Sequence, residues 1–248
     1  MTKTEDHILR LKRDLSDIST PAKATAAQRY FPHAVNCMGA TAADIKAIIK
    51  DFQTQHPELD ANDTLGLVEQ LLKTAHYNEE TLLAFGLLNK FVKQHYSDDL
   101  LQRFEYWLEH YTDNWSQVDD LCIKTIYNFF LSRPHLIEST QHWANSSSSW
   151  CRRASNVVWV KFIHRKIGKE VLQLNLDLVF GNCDKLLNDP DDYVQKSIGW
   201  LLKVTSQHHP QAVMEYLIAH HRHLPRSTLR YAIEKLPAGT RQDLLSLR

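Results

Sequence analysis

The sequence contains few residues that interrupt regular secondary structure. Only 7 Gly and 8 Pro occur in 248 residues, and this scarcity favours long helices over many strands and turns. No apolar run approaches the roughly 20 residues that a bilayer-spanning helix needs. The first residues also lack the basic and apolar regions of a signal peptide. We therefore expect a cytoplasmic protein without a membrane partner.

Sequence motifs for disulfides, metals and nucleotides are missing as well. The two histidine-rich stretches, 208–209 and 220–223, contain no HExxH pattern, so we expect no metal site. No Walker loop, GxGxxG or GxSxG motif occurs, and we expect no cofactor. The cysteines form no CxxC pair and are typical of small apolar residues in a reducing compartment. They are Cys37, Cys122, Cys151 and Cys183.

Charge is unevenly distributed along a chain whose formal net charge is zero. Residues 151–248 contain 15 Lys and Arg against 9 Asp and Glu. A basic C-terminal part permits a polyanionic partner on one side of the molecule. It does not require one, because uneven charge also occurs on ordinary protein surfaces.

Helix signals follow one another from the first residues onward. Thr2 with Glu5 fits a capping box, and Thr41 with Asp44 repeats the pattern with Asp in the acidic position. Thr20-Pro21 is typical of an N-cap followed by the first helical residue. Further apolar stripes at helical spacing extend through the chain. We expect Asn78 to cap one of these helices and Leu172, Leu176 and Val179 to lie on another.

This succession predicts an all-α protein with a single domain over residues 1–248. Helices of about 12–18 residues joined by short loops pack as antiparallel neighbours. No segment shows sustained period-two alternation flanked by hairpin turns. Stacked helix pairs of about 40 residues would form an α–α superhelix, whose concave surface could accommodate duplex DNA. A compact irregular helical bundle is the alternative, because we find no repeated motif.

A tryptophan and a carboxylate are predicted to share one face of a helix over residues 113–121. Trp115 and Asp119 stand four residues apart, while Val118, Leu121 and Cys122 form the buried side. An aromatic ring beside a carboxylate suits a cationic target, since both attract positive charge. The alternative is a tryptophan at the edge of the core beside an Asp near a helix start.

Three other stretches carry cations or an unexpected glycine. Arg152 and Arg153 open a helix with two adjacent guanidinium groups, which suit bidentate phosphate contacts. Gly199 lies inside an amphipathic helix, where it permits close approach of another helix, the commoner reason, or of a ligand. A last group of cations fits either a solvated face or a phosphate-contacting stripe. Its members are Lys196, Lys203, Arg222, Arg226 and Arg230.

Taken in order, these stretches resemble the AlkD-like DNA glycosylases of the DNA alkylation repair family. The matching motifs are Trp115-x-x-Val118-Asp119, Trp150-x-x-Arg153-Ala154 and Gln195-Lys196-x-Ile198-Gly199-Trp200, with the ending Leu224-Pro225 through Arg230 to Leu236. The resemblance spans roughly residues 20–236, and the Gln-Lys-x-Ile-Gly-Trp stretch is its most specific part. It implies HEAT-like helical repeats. It also implies excision of positively charged N3- or N7-alkylated purines from duplex DNA, without flipping of the base into a pocket.

The resemblance also implies roles for individual residues. Asp119 corresponds to the catalytic carboxylate, Trp115 and Trp200 to aromatic walls beside the lesion, and Arg153 to a phosphate-binding residue. Residues 38–45 depart from the family pattern, because they lack a proline expected there. Further DNA-binding candidates are Tyr30, Arg152, Lys196, Arg226 and Arg230.

Two functions from different classes follow from these residues. The first is a monofunctional alkylpurine glycosylase that acts as a monomer on double-stranded DNA. No lysine stands next to Asp119 as a Schiff-base candidate, so we expect no lyase step. The alternative is a non-catalytic helical-repeat scaffold that binds DNA or protein. Such a scaffold has no need of Asp119 together with both tryptophans.

Overall fold

Residues 2–247 are described by a computed structural model, and they form an all-α fold. Within this range the chain is 67% helical, with 14 α-helices and one small sheet. Two compact units are present: one contains the chain up to Leu101 and His110–Ser132, and the other contains Gln102–Glu109 and the chain from Arg133. The predicted fold class is confirmed, whereas the single domain stays a prediction. Among the described residues, no helix is long and apolar enough to cross a bilayer.

Unit 1 contains the N-terminal helices and the predicted Trp115 helix. The predicted capping boxes at Thr2 and Thr41 are both present, and Thr20 caps the helix that begins at Pro21. Asn78 does not act as a cap. It is the first residue of its helix, and Tyr77 precedes it as the N-cap residue. The helices are α1 Lys3–Ile18, α2 Pro21–Gln28, α3 Ala42–Gln55, α4 Ala61–Lys73, α5 Asn78–Leu87, α7 Trp115–Asp120 and α8 Tyr127–Phe130, with a 3-10 turn at Leu88–Lys90 and a π-helical segment at Leu121–Ile126.

A buried carboxylate holds the connector between α2 and α3. Glu79 accepts hydrogen bonds from the backbone N–H groups of Met38, Gly39 and Ala40 at 2.9, 2.8 and 3.3 Å. Gly39 has φ +102°, and a Cβ there would lie 2.3 Å from the Thr20 carbonyl oxygen. Only glycine fits this conformation and this space. The connector is therefore fixed by contacts that are remote in sequence.

Unit 2 contains the remaining helices around a core rich in aromatic residues. Asn182 donates to Asn156 at 2.7 Å, and Asn156 donates to Ser197 at 2.9 Å. These buried hydrogen bonds join three helices and set their register. Unit 2 contains α9 Ser149–Val157, α10 Leu176–Leu186, α11 Asp192–Ser206, α12 Pro210–His220, α13 Arg226–Ala232 and α14 Ala238–Ser246, with 3-10 helices at Pro134–Leu136 and Glu138–Asn145, and α6 Leu100–His110 supplies its residues 102–109.

A β-hairpin in unit 2 contradicts the expectation that no such element occurs. Strands β1 His164–Ile167 and β2 Glu170–Gln173 pair antiparallel across a turn at Gly168, whose φ is +64°. Leu172 therefore lies in a strand and not on the following helix, which begins at Leu176. Each strand has four residues, and most of them are polar and exposed. Apolar alternation was too short to reveal the hairpin, and the Gly-Lys turn was the remaining signal.

Candidate functional site

Trp115 and Asp119 lie on a half-exposed face of α7. Both side chains are intermediate in burial, while Val118, Leu121 and Cys122 on the other side are at most 1% exposed. The predicted division of this helix into a buried side and an accessible side is confirmed. An indole and a carboxylate thus lie on the same half-exposed face of one helix.

The start of α7 is held by Asn114. Its side-chain oxygen accepts from the N–H groups of Ser116 and Gln117 at 3.0 and 3.2 Å, which caps the helix. Its amide group donates to Asn78 at 3.0 Å and Asp113 at 2.7 Å. Asn114 is 3% exposed, so the cap is also a buried tie to α5. This tie fixes the position of Trp115, the first residue of α7.

A second aromatic residue, Phe31, lies against Trp115 and was not predicted from the sequence. The two ring centroids are 5.5 Å apart with an interplanar angle of 37°. The loop that carries Phe31 is closed by Gln28, which donates to the His33 carbonyl at 2.7 Å and accepts from the Val35 N–H at 3.0 Å. Tyr30, a predicted DNA-binding residue, precedes Phe31 and is 75% exposed. Phe31 and Trp115 therefore form an aromatic pair within unit 1, and Tyr30 is the sequence neighbour of Phe31.

Asp120, the neighbour of Asp119, has a different environment. Its carboxylate forms an ion pair with Lys124 one turn later, and its side chain is 16% exposed. Burial raises the pKa of Asp120, and the hydrogen bond and charge of Lys124 oppose that rise. The pairing holds the Lys124 ammonium on Asp120.

An open groove of about 930 Å³ adjoins Asp120 in unit 1. Its walls come from α3, α5 and the segment that follows α7. Its floor includes Ile49 and Leu82, and four exposed lysines surround these apolar residues against the single carboxylate of Asp120. These lysines, which sequence analysis did not select, give the groove a positive potential suited to an anion. They are Lys46, Lys50, Lys90 and Lys124.

In unit 2, Arg153 and Lys196 lie around Tyr193. Arg153 is buried at 5% exposure, and its Nη1 donates to the Tyr193 carbonyl at 2.6 Å. The Lys196 Nζ lies 4.8 Å from the centre of the Tyr193 ring, and the Trp150 ring lies 5.4 Å from it. Burial raises the pKa of Tyr193, and the charge of Arg153 opposes this rise. Tyr193, three residues before Lys196, was not predicted from the sequence.

Arg152 is engaged with a carboxylate and two carbonyl groups. Its Nε donates to Asp189 at 2.6 Å and its Nη2 to the same carboxylate at 3.3 Å. Its Nη1 donates to the carbonyl oxygens of Ser146 and Ser147, both at 2.9 Å. This bidentate fork stabilises the loop between α10 and α11 against the start of α9. Phosphate binding by Arg152, which stays a prediction, would have to use the remaining donor or displace these contacts.

Trp200 lies on the same face of α11 as Lys196 and Lys203. Trp200 is intermediate in burial and Lys196 is exposed. The Lys203 Nζ lies 4.0 Å from the centre of the Tyr231 ring. On the buried side, a Cβ at Gly199 would lie 3.0 Å from the Thr228 carbonyl oxygen. The glycine therefore serves close packing of α11 against α13, the commoner of the two explanations.

Two further cationic candidates, Arg226 and Arg230, lie on α13. Arg226 is exposed, and its Nη2 donates to the Leu245 carbonyl at 2.7 Å. Arg230 is exposed and borders a shallow pocket with Glu234 and Arg241. Their roles in DNA binding stay predictions.

Two clusters in the described residues could hold a metal ion, and neither coincides with the predicted site. One is formed by His7, His56 and Glu58, and the other by Glu105, Glu109 and Cys151. In the second cluster, Glu105 accepts from His142 and Glu109 accepts from Ser146. Burial raises the pKa of Cys151 to about 12, so the thiol is protonated near neutral pH.

Comparison with known proteins identifies related sequences and folds. A sequence profile described as "DNA alkylation repair enzyme" matches residues 11–236. The sequence matches no curated protein.

Several solved structures have the same fold. A predicted DNA alkylation repair enzyme from Enterococcus faecalis superposes with a TM-score of 0.74 at 19% identity, covering 89% of this chain and 97% of that chain. AlkD2 from Streptococcus mutans has a TM-score of 0.61 at 17% identity, covering 95% and 100%. The alkylpurine DNA glycosylase AlkC from Pseudomonas fluorescens, bound to DNA containing an abasic site analog, has a TM-score of 0.55 at 15% identity, covering 97% and 66%.

Proposed function

Because the chain belongs to the family of DNA alkylation repair enzymes, we propose that it is a DNA glycosylase. Its substrates would be N3- and N7-alkylated purines in duplex DNA, which carry a positive charge on the base. The observation that carries this proposal is the position of Trp115 and Asp119, four residues apart, on the half-exposed face of α7. The solved AlkC complex, a fold relative that is an alkylpurine DNA glycosylase bound to DNA, supports the substrate class.

The proposed reaction is hydrolysis of the N-glycosidic bond. The bond between sugar C1′ and the base nitrogen breaks, and its electron pair neutralises the cationic base, which leaves without a general acid. The sugar develops oxocarbenium character, which the Asp119 carboxylate stabilises while it positions the attacking water. Water supplies the hydroxyl group at C1′ and releases a proton. Trp115 offers its ring face to the cationic base and sugar.

Phosphate contacts are proposed for the lysines of the unit 1 groove. Lys46, Lys50, Lys90 and Lys124 surround it, and a polyanionic backbone suits this charge. Arg153 and Trp200 keep the roles predicted from the family resemblance, as a phosphate contact and an aromatic wall.

We propose that the enzyme performs no lyase step. A lyase step needs a neutral amine to attack C1′. No lysine stands next to Asp119 in the sequence, and Lys124, five residues later, is held in an ion pair with Asp120. The abasic product strand should therefore stay intact until it is treated with alkali.

The direct test is release of free bases from methylated duplex DNA. We expect the wild-type protein to release N7-methylguanine or N3-methyladenine, detected by chromatography and mass spectrometry. Asp119→Asn should abolish release while the variant still binds the same duplex, because the amide keeps the shape and loses the charge. Full activity of Asp119→Asn would remove this residue from the mechanism.

A matched variant controls for the loss of one carboxylate. Asp17 lies exposed on α1, and Asp17→Asn should release bases at the wild-type rate. Binding of methylated DNA by the wild-type protein without release of any base would favour the non-catalytic scaffold. Binding that does not respond to salt would exclude phosphate-dominated recognition.

A further inference from the structure

The β-hairpin of unit 2 is an exposed and basic element. Its residues 164–173 contain three Lys and Arg against one Glu, and Lys161 lies three residues before it. In the hairpin His164–Gln173, all residues except Ile167 and Leu172 are exposed. Such a concentration of one charge on a neutral chain attracts a polyanion.

The register of the hairpin separates its two faces. Lys166 pairs with Val171 and His164 pairs with Gln173, so these four side chains share one face. Ile167 and Leu172, the two half-buried residues, lie on the opposite face. Toward the tip, the first face meets solvent at Lys166 and at Val171, which is 50% exposed.

The base of the hairpin is attached to the end of α11. The His164 and His208 rings stack at 4.5 Å with an interplanar angle of 15°, and His208 follows the last residue of α11 by two positions. Phe162 and Ile163 before β1 are fully buried. An anchored base below an exposed tip gives the cations of the hairpin a defined position.

The hairpin is also continuous with a predicted DNA-contacting face. Lys196 and Lys203 lie on the accessible side of α11, separated by seven residues or about 10 Å of helix. The same helix ends beside the hairpin. Cations on α11 and on the hairpin thus belong to one connected part of unit 2.

We propose that this hairpin is a second DNA-contacting element, in which Lys166 and Lys169 contact backbone phosphates. A two-stranded ribbon has the dimensions to enter a DNA groove, and Val171, which pairs with Lys166 and is 50% exposed, would enter with it. This inference rests on the proposed function, because that function supplies the duplex. An acidic protein surface is the rival partner, and it would leave DNA binding independent of the hairpin.

The test is the salt dependence of duplex binding by the full-length protein. Each phosphate contact contributes about 0.9 to the slope of log K against log salt concentration. Lys166→Ala/Lys169→Ala should therefore lower the slope by about 1.8, which is about 60-fold weaker binding at 0.1 M salt if binding at 1 M is equal. The charge reversal Lys166→Glu/Lys169→Glu should weaken binding further. Fluorescence anisotropy with an unmodified duplex measures both effects, and circular dichroism checks that the variants are folded.

The control removes two exposed cations from other elements. Arg13 on α1 and Lys73 on α4 are exposed, and Arg13→Ala/Lys73→Ala should change the slope by much less than the hairpin variant. An equal fall in both double variants would mean that only net charge matters, and it would overturn the proposal. So would a wild-type slope in Lys166→Ala/Lys169→Ala.

The failure of this inference is distinguishable from failure of the proposed function. If the wild-type protein releases methylated bases and the hairpin variant binds DNA normally, the hairpin proposal is wrong and the glycosylase proposal stands. If the wild-type protein binds no duplex and releases no base, both are wrong. Release of bases together with the expected loss of slope supports both.

Discussion

At the scale of single residues, two adjacent carboxylates on α7 differ in what surrounds them. Asp120 is paired with Lys124, and burial raises its pKa. Asp119 lies on the face of Trp115, at intermediate burial. In an α-helix, successive residues are rotated by about 100° around the helix axis. Neighbours in sequence therefore lie on different faces of the helix. Asp119 therefore shares the face of Trp115, while Asp120 borders the lysine-rich groove.

Trp115 should contribute to the rate of base release through its aromatic face. Trp115→Ala should lower the rate of N7-methylguanine release about 2- to 30-fold, the equivalent of about 0.5–2 kcal/mol of cation–π attraction. Trp115→Phe should keep part of that rate, because a smaller ring remains beside Phe31. Single-turnover rates on methylated duplex DNA measure the difference.

An exposed aromatic residue outside α7 provides the control for Trp115. Tyr106 is 49% exposed on α6, and Tyr106→Ala should leave the rate unchanged. Wild-type rates in both Trp115 variants would show that the indole is a core-edge residue without a catalytic role.

At the scale of elements, the helix that carries the site changes type. After α7 the chain forms a π-helical segment, Leu121–Ile126, and then α8. Val118, Cys122, Ile126 and Phe130 are all buried at every fourth position. In an α-helix each four-residue step rotates about 40° past a full turn, so this spacing would leave the buried face. A π-helical turn contains more residues than an α-helical turn, so it keeps residues spaced by four on the buried face. This four-residue spacing of apolar residues was the sequence signal for the π-helical segment.

Gly199 allows α11 to pack closely against α13. A Cβ at this position would lie 3.0 Å from the backbone oxygen of Thr228 and 3.1 Å from the Tyr231 Cβ. Gly199→Ala should destabilise the protein by about 1–3 kcal/mol through overpacking, despite the roughly 1 kcal/mol that alanine favours in a helix. Urea denaturation measures the change.

Gly66 on α4 provides the matched substitution. It is exposed, and a Cβ there meets nothing within 4 Å. Gly66→Ala should therefore stabilise the protein by up to about 1 kcal/mol. Equal effects of the two substitutions would contradict the packing explanation for Gly199.

At the scale of the whole molecule, some basic residues form hydrogen bonds within the protein and others are exposed to solvent. Arg152 and Arg153 are engaged within unit 2 by Asp189 and the Tyr193 carbonyl. The lysines of the unit 1 groove and Lys166 of the hairpin are exposed. A net charge of zero is therefore compatible with local surfaces that are strongly positive.

Stability should fall on mild acidification because of His7. Burial lowers the pKa of His7 below 6.5, and the positive charges of His56, Lys3 and Arg10 lower it further while Glu58 opposes them. Its Nε2 has no hydrogen-bond partner. Below about pH 6.5 the unfolded chain binds a proton at His7 more readily than the folded chain, so the free energy of unfolding decreases as pH falls. Urea denaturation at pH 7.5 and pH 5.5 measures this decrease.

His7→Phe isolates the contribution of this residue. The phenyl ring keeps the contacts with Phe52 and His56, whose ring centres lie 5.3 and 4.4 Å from that of His7, and it cannot bind a proton. The variant should lose less stability between the two pH values than the wild-type protein. His223, which is exposed, provides the control substitution His223→Phe. Identical pH dependence of wild type and His7→Phe would contradict the prediction.

The sequence alone determined the features that depend on near neighbours. Apolar spacing and capping residues such as Thr2 and Thr41 specify helices, because their contacts lie within one or two turns. The motif with Trp115 and Asp119 could be placed on one helix face for the same reason. The family resemblance followed from the same short motifs.

Only the tertiary structure decided which residues these side chains contact. Phe31 meets Trp115, Arg152 meets Asp189 and Arg153 meets Tyr193 across long stretches of chain. Such contacts depend on how helices pack, and a linear pattern carries no record of them. The hairpin was missed for a related reason: its strands are stabilised by pairing with each other and by the His164–His208 contact, not by an apolar pattern of their own.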